Sequence, residues 1–204
     1  MANFIYKEDL PNDLDLGNTI AVDTETMGLN PERDRLCLIQ LSNGNGDCHL
    51  VQLGKNSKFN SPNLNKLLSN KQVLKIFHFA RFDVAIIQKY LRVSCQPIYC
   101  TKIASKLVRT YTDRHGYKDL CKDLLNLEIS KQQQSSDWGS EKLSNQQIEY
   151  ASTDVLHLHS LKEILDTMLM REGRVELANE CFSFIPYRCK LDLNGWAEPD
   201  IFSH

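Results

Sequence analysis

The rhythm of apolar and polar positions changes along this chain, and each change marks an element. Residues 19–22 lead into Asp23 as a short β-rich run. Residues 36–41 and 48–53 form two more, separated by Asn43-Gly44-Asn45-Gly46. Runs of this kind, the last two flanking Asn-Gly pairs, predict three strands with a hairpin between the second and third. Residues 62–68 have the spacing of a short helix, residues 73–77 read as a buried strand, and residues 80–91 set Phe82, Ile86, Ile87 and Tyr90 at helical intervals. A further short strand is expected near Ile98. From Lys102 onward helical spacing dominates: segments 103–108, 117–125, 145–169 and 172–184 repeat apolar residues three and four apart. Residues 186–204 show no such pattern and predict an irregular tail.

Strands first, then a strand between helices, then helices alone imply an α/β protein with a mixed sheet of about five strands, flanked by helices and ending in a helical half. Its 204 residues, 42% hydrophobic and 25% charged, suit a single domain with a full core. No internal repeat is visible, and the only low-complexity tract is Gln132-Gln133-Gln134. With 24 basic against 26 acidic residues, the net charge of -2 excludes the broad positive field of a non-specific duplex binder, so any nucleic-acid contact must be local. No stretch approaches the twenty apolar residues of a membrane helix, and the N-terminus is polar within a dozen residues, so a soluble, unexported, cytoplasmic protein is expected. The seven cysteines are scattered and never spaced Cys-x-x-Cys, which reads as buried free thiols in a reducing compartment rather than a zinc site.

Three constellations offer chemistry. In Val22-Asp23-Thr24-Glu25-Thr26, the acids Asp23 and Glu25 lie two apart on a strand and project from one face. Two neighbouring carboxylates repel, and a shared divalent cation relieves that; the plainer explanation is an edge strand with a wet face. In Ile76-Phe77-His78-Phe79-Ala80-Arg81-Phe82-Asp83 a strand ends and a helix begins, so Asp83 falls near the positive end of the helix dipole, where capping alone would explain it. His78 alone reads as a packed or capping imidazole. In Tyr150-Ala151-Ser152-Thr153-Asp154 the phenol and the acid stack on one helical face, and by itself Tyr150 reads as an amphipathic core residue.

Taken together, Asp23-Thr24-Glu25, then Asp83 sixty positions later, then Tyr150 four before Asp154, resemble the three exonuclease motifs of the DEDD superfamily in order and spacing. The tyrosine places the resemblance in the DEDDy branch, which includes ribonuclease D, the Werner-type exonuclease and polymerase proofreading domains. The stretches beginning at Asp23 and at Ser136 are most similar to the ribonuclease D family, and the likeness covers residues 19–165. Phe79 stands where proofreading domains often carry asparagine. Ribonuclease D also continues into helical RNA-binding domains for which this chain leaves no space, so substrate choice is expected to come from the nuclease domain or from partners.

The resemblance implies a ribonuclease H-like fold and a 3′-to-5′ exonuclease that hydrolyses single-stranded RNA ends to nucleoside monophosphates. Asp23, Glu25, Asp83 and Asp154 would hold two divalent cations, Mg²⁺ or Mn²⁺, about 4 Å apart, and Tyr150 would orient the attacking water. It also implies that the backbone around Thr24 to Met27 approaches the terminal nucleotide, with Met27 or Leu29 wedged against its base. Core packing is the competing account of Leu29. His78, Arg81, Lys131 and Trp138 complete the candidate substrate contacts, a cation and an aromatic suiting phosphate binding and base stacking. Against these stand a solvated Arg81 and a Trp138 packed inward. Single-stranded DNA is the alternative substrate. An inactive nucleic-acid-binding scaffold is the alternative of another class, disfavoured because all five motif residues are present. A nucleotide-binding protein without hydrolysis lacks a glycine-rich phosphate loop.

Overall fold

The structure is a computed structural model that describes residues 2–129 and 136–203; Lys131 and the glutamine tract lie outside the described residues. Six strands form one sheet: β1 (Asn3–Lys7), β2 (Thr19–Thr26), β3 (Leu36–Ser42), β4 (Cys48–Gln52), β5 (Leu74–Phe77) and β6 (Ile98–Cys100). Their order is β1-β4-β3-β2-β5-β6, antiparallel within β2-β3-β4 and parallel elsewhere. The strand beyond the expected five is β1, which pairs with β4 from Asn3↔Cys48 to Lys7↔Gln52. Its residues are exposed on both faces except at Tyr6, so no apolar alternation marks it, and backbone pairing alone defines it. By contrast every residue of β3 and β4 is buried, which explains their unbroken apolar runs.

Seven helices cover the sheet: α1 (Pro62–Ser69), α2 (Ala80–Tyr90), α3 (Thr101–Val108), α4 (Tyr117–Leu125), α5 (Asn145–Leu156), α6 (Leu158–Arg171) and α7 (Val175–Leu191). Helix α5 crosses β2, β3 and β4, whereas α2 contacts β2, β3, β5 and β6 and packs on α7. Side chains alternate along β2. Asp23 and Glu25 face α5, while Thr24 faces α2 and meets Asp83 there. Buried apolar side chains from β2 to β6 and from every helix form one cluster. All seven cysteines are free, six of them buried and Cys181 half-buried. Among the described residues no helix is long and apolar enough to cross a membrane.

Two helix boundaries differ from the sequence pattern. The single run expected over 145–169 is broken at His157, where the Tyr117 hydroxyl donates to the Thr153 carbonyl at 2.5 Å and accepts from the backbone N–H of His157, which also reaches the Val155 carbonyl. A hydroxyl inserted between those groups replaces the N–H to C=O bond four residues back, a recognised cause of a kink. The helix expected to end near Phe184 continues through Pro186 to Leu191. A proline removes one backbone bond, but Phe182, Ile185, Pro186 and Cys189 form a buried face that holds α7 together. The tail is not irregular from residue 186. It starts after α7 with a wide turn over Asp192–Trp196 that closes at Gly195, φ 94°.

Candidate active site

The C-terminal end of β2 gathers the acids. Carboxylate oxygens of Asp23, Glu25 and Asp154 lie within 4.8 Å of one another. Asp83, in the first turn of α2, joins them through Thr24, whose Oγ1 donates to Asp83 Oδ1 at 2.6 Å. Gln40 Nε2 is a more distant side-chain donor, 3.5 Å from Glu25 Oε1. Among the described residues none of the four acids is ion-paired with Lys or Arg.

Burial without counter-charge decides their ionisation. Desolvation pushes the Asp23 carboxyl well up, and Asp83, Asp154 and Glu25 add repulsion in that order. Glu25 is raised in the same way by burial and then by Asp154 and Asp83. Burial lifts Asp83 to about 7 against the hydrogen bond from Thr24, and Asp154 to about 7 against that from Tyr150. Such a cluster cannot be fully ionised by itself, and oxygen-only donors of this kind suit hard divalent cations.

Tyr150 and Asp154 share one face of α5, and the Trp138 ring lies 6.0 Å from that of Tyr150. Burial, followed by Asp154, raises the Tyr150 phenol far above its ordinary value, so it remains protonated and donates toward Asp154. A capping box, Ser144 with Gln147, starts α5, and Gln147 Nε2 reaches the Asp137 carbonyl at 3.0 Å, holding the Trp138 loop beside the acids.

A cleft of about 960 Å³ opens over the cluster. Met27 and Leu29 stand on its rim, 51% and 87% exposed, so Leu29 is not a core residue. Their loop is anchored by Met27 N to Arg35 O at 3.0 Å, and Gly28 sits so close to Asp34 that a Cβ would fall 2.3 Å from Oδ2. Thr24 is buried and bonded to Asp83, which makes it a support for that acid. Trp138 also lines the cleft but is packed inward, 3% exposed. His78 lines it with Nδ1 2.9 Å from Thr101 Oγ1; burial, then Lys102, drives its imidazole down to about 3. Arg81 is not among the lining residues: its guanidinium forks onto Asp192 at 2.7 and 2.8 Å, an ion pair rather than a free phosphate contact. Lys131 lies outside the described residues.

Among the lining residues that were not expected are Phe79, Lys102, Tyr117 and Lys118. Phe79 adopts a left-handed φ of 67° at the start of α2, half exposed, with Lys102 Nζ 4.1 Å from its ring centroid. A bulky residue held there is strained, a cost usually found where a side chain must be presented. The available signal was positional. Lys102 follows the C-terminal end of β6, and in open sheets ligands bind outside the carboxyl ends of the parallel strands.

Residues 6–170 match the 3′-5′ exonuclease family. The ribonuclease D of Granulibacter bethesdensis is 33% identical over 161 residues, 79% of this chain and 40% of that protein. The chain thus spans about 40% of the length of such curated relatives. NrnC of Brucella melitensis with bound Mg²⁺ superposes with a TM-score of 0.95 at 51% identity, covering 100% of both chains. The same protein bound to pGG superposes with a TM-score of 0.95 at 52% identity, covering 100% of this chain and 99% of that one.

Proposed function

The chain belongs to the 3′-5′ exonuclease family, and on that premise we propose that it hydrolyses single-stranded RNA from the 3′ end by a two-metal mechanism, releasing nucleoside monophosphates. The observation that carries this reading is the convergence of Asp23, Glu25, Asp83 and Asp154 in a cleft where, among the described residues, none of the four is ion-paired with a lysine or arginine. Those four residues would hold the divalent cations, which supply an acidified water and stabilise charge on the attacking and leaving oxygens. Magnesium is favoured because NrnC, alike over its full length, holds it. That NrnC binds pGG supports short RNA as the substrate class.

The chain's own groups divide the remaining work. The Tyr150 hydroxyl donates to Asp154, which leaves its oxygen lone pair free to accept from the attacking water and aim it. Held protonated, the phenol positions the water and does not remove its proton. Met27 and Leu29 offer an apolar wedge for the terminal base, and Lys102 and Lys118, which also line the cleft, would meet the strand's phosphates. Lys118 already lowers the Asp154 carboxyl through its charge.

Incubation of end-labelled single-stranded RNA with Mg²⁺, Mn²⁺ or chelator, beside a matched DNA, tests this directly. The expected result is a one-nucleotide ladder from the 3′ end that chelation abolishes and that is stronger on RNA. Shortening that persists under chelation, or no shortening with either metal, refutes the reading.

A further inference from the structure

The hydrogen-bond partners of the His78 imidazole bear on what it can bind. Thr101 Oγ1 is in contact with two groups, donating to the Phe77 carbonyl at 3.2 Å and lying 2.9 Å from His78 Nδ1. A hydroxyl has one proton. With that proton directed at the carbonyl, Oγ1 accepts, and the tautomer we assign on this basis has its hydrogen on Nδ1 and leaves Nε2 as a bare acceptor. The Tyr117 ring, centroid 5.7 Å away, packs against the imidazole, and Tyr117 is anchored to Thr153 in turn. Burial and the nearby Lys102 charge keep the ring neutral. Nε2 has no protein partner among the described residues, and the side chain lines the cleft.

A bare nitrogen acceptor repels phosphate oxygens, which have no hydrogen to give. It requires a donor. Base donors differ among the four nucleotides, whereas the sugar hydroxyl is the same on every ribonucleotide. We propose that His78 Nε2 accepts a hydrogen bond from a ribose hydroxyl of the bound strand, making Thr101-His78 the element that reads the sugar. This rests on the nuclease reading above. The same chemistry is offered by a 2′-hydroxyl and by the terminal 3′-hydroxyl, and substrates that lack one or the other tell them apart.

The experiment compares kcat/KM for short RNA oligomers carrying a 2′-deoxy sugar at the last or the penultimate position, or a 3′-deoxy end, in the wild type, His78→Phe and Thr101→Val. In the wild type one of these deletions should cost about 10-fold, the scale of a lost hydrogen bond. In His78→Phe the ratio of parent to deleted substrate should fall to near one, and in Thr101→Val, where the tautomer is released, part of the way. Loss at a 2′-deoxy position makes His78 a selector of RNA; loss at the 3′-deoxy end makes it a reader of the free terminus. A ratio unchanged by His78→Phe overturns the proposal while leaving the nuclease reading intact. Should His78→Phe fail to fold, the ¹⁵N spectrum of the wild type decides: Nδ1 protonated, Nε2 not, and Nε2 shifting when an oligoribonucleotide binds Asp154→Asn, which is not expected to cleave it. A protonated Nε2, or no shift on binding, refutes it even where no turnover is measured.

Discussion

Two groups of acids in this molecule are built from the same residue types and end in opposite states. At the end of β2, Asp23, Glu25, Asp83 and Asp154 face one another and, among the described residues, none is ion-paired with an arginine or lysine, and burial raises all four. Behind α2, Asp192 is held by two arginines, Arg81 at 2.7 Å and Arg188 at 2.8 Å, and Arg188 also reaches Asp200 at 3.2 Å. The second group is electrostatically complete with the chain's own charges. Among the described residues the first has no ion pair to balance it, and the proposed divalent cations would supply the missing charge. An acid cluster that the fold leaves uncompensated at a cleft is a site; one that the fold neutralises is a fastening.

The largest test of that contrast is Asp23→Asn. Removing one ligand should lower kcat/KM about 10³-fold or more, because the remaining carboxylates no longer define the coordination of both cations. The same change removes repulsion from the metal-free cluster, so the folded protein should become more stable by about 1–3 kcal/mol, the equivalent of one or two pKa units. Activity assays paired with thermal melts in chelator check both halves. An inactive variant that is also destabilised would mean that Asp23 holds the fold together as Asp192 does.

Next in size is the dependence of stability on pH and metal. Asp83 and Asp154 stand near 7 when folded against an ordinary value of 3.8. Between about pH 4 and pH 7 the folded state therefore holds protons that the unfolded chain has released, and stability without metal should fall as pH rises through that window. Saturating Mg²⁺ displaces those protons and should raise the melting temperature by about 5–10 °C near pH 7.5, and by much less near pH 5. Melts at both pH values, with and without Mg²⁺, measure this. A metal-free melting temperature that climbs from pH 4 to pH 7 would remove the distinction between the two acid groups.

Smaller still is the effect expected at the fastening itself. Asp192→Asn breaks the fork with Arg81 and strips Arg188 of one partner. Because the Arg81 side chain is 38% exposed and partly screened, the loss should be about 1–3 kcal/mol. Activity at saturating Mg²⁺ should change less than tenfold, since Arg81 is bonded to Asp192 and is not among the residues that line the cleft. A denaturant titration beside a Mg²⁺-dependent rate curve separates the two. Unchanged stability would make the clamp a surface pairing of no consequence.

The chemistry of the site was more legible in the sequence than its supports were. Asp23 and Glu25 share a face because a strand has period two, and Tyr150 and Asp154 share one because a helix has period 3.6; both rules are local. Asp83 lay at a strand-to-helix boundary that by itself pointed only to capping, and the resemblance to the DEDD motifs was what assigned it to the site. Strand β1 stayed hidden because an edge exposed on both faces carries no apolar alternation. Arg81 looked free for phosphate because its partner lies 111 residues away and only the packing of α7 on α2 brings it near. Trp138, read as a possible stacking ring, lies packed beside Tyr150 for the same non-local reason. Local periodicity places a side chain on a face; tertiary packing decides what it meets.

The finest test concerns a residue that belongs to neither acid group. Tyr117 puts its hydroxyl between the Thr153 carbonyl and the His157 N–H, and the helix breaks within one turn of Asp154. Tyr117→Phe keeps the ring against His78 and deletes the wedge. The two backbone groups can then pair with each other, so stability should change by no more than about 1 kcal/mol. Closing that bond straightens α5 into α6 and turns Asp154 relative to Asp23 and Glu25, which should raise the Mg²⁺ concentration for half-maximal rate by about 3- to 10-fold while leaving the KM for RNA unchanged. A hydroxyl that serves packing alone would move neither quantity. A shift confined to KM would place Tyr117 on the substrate side of the cleft rather than behind the metal ligands.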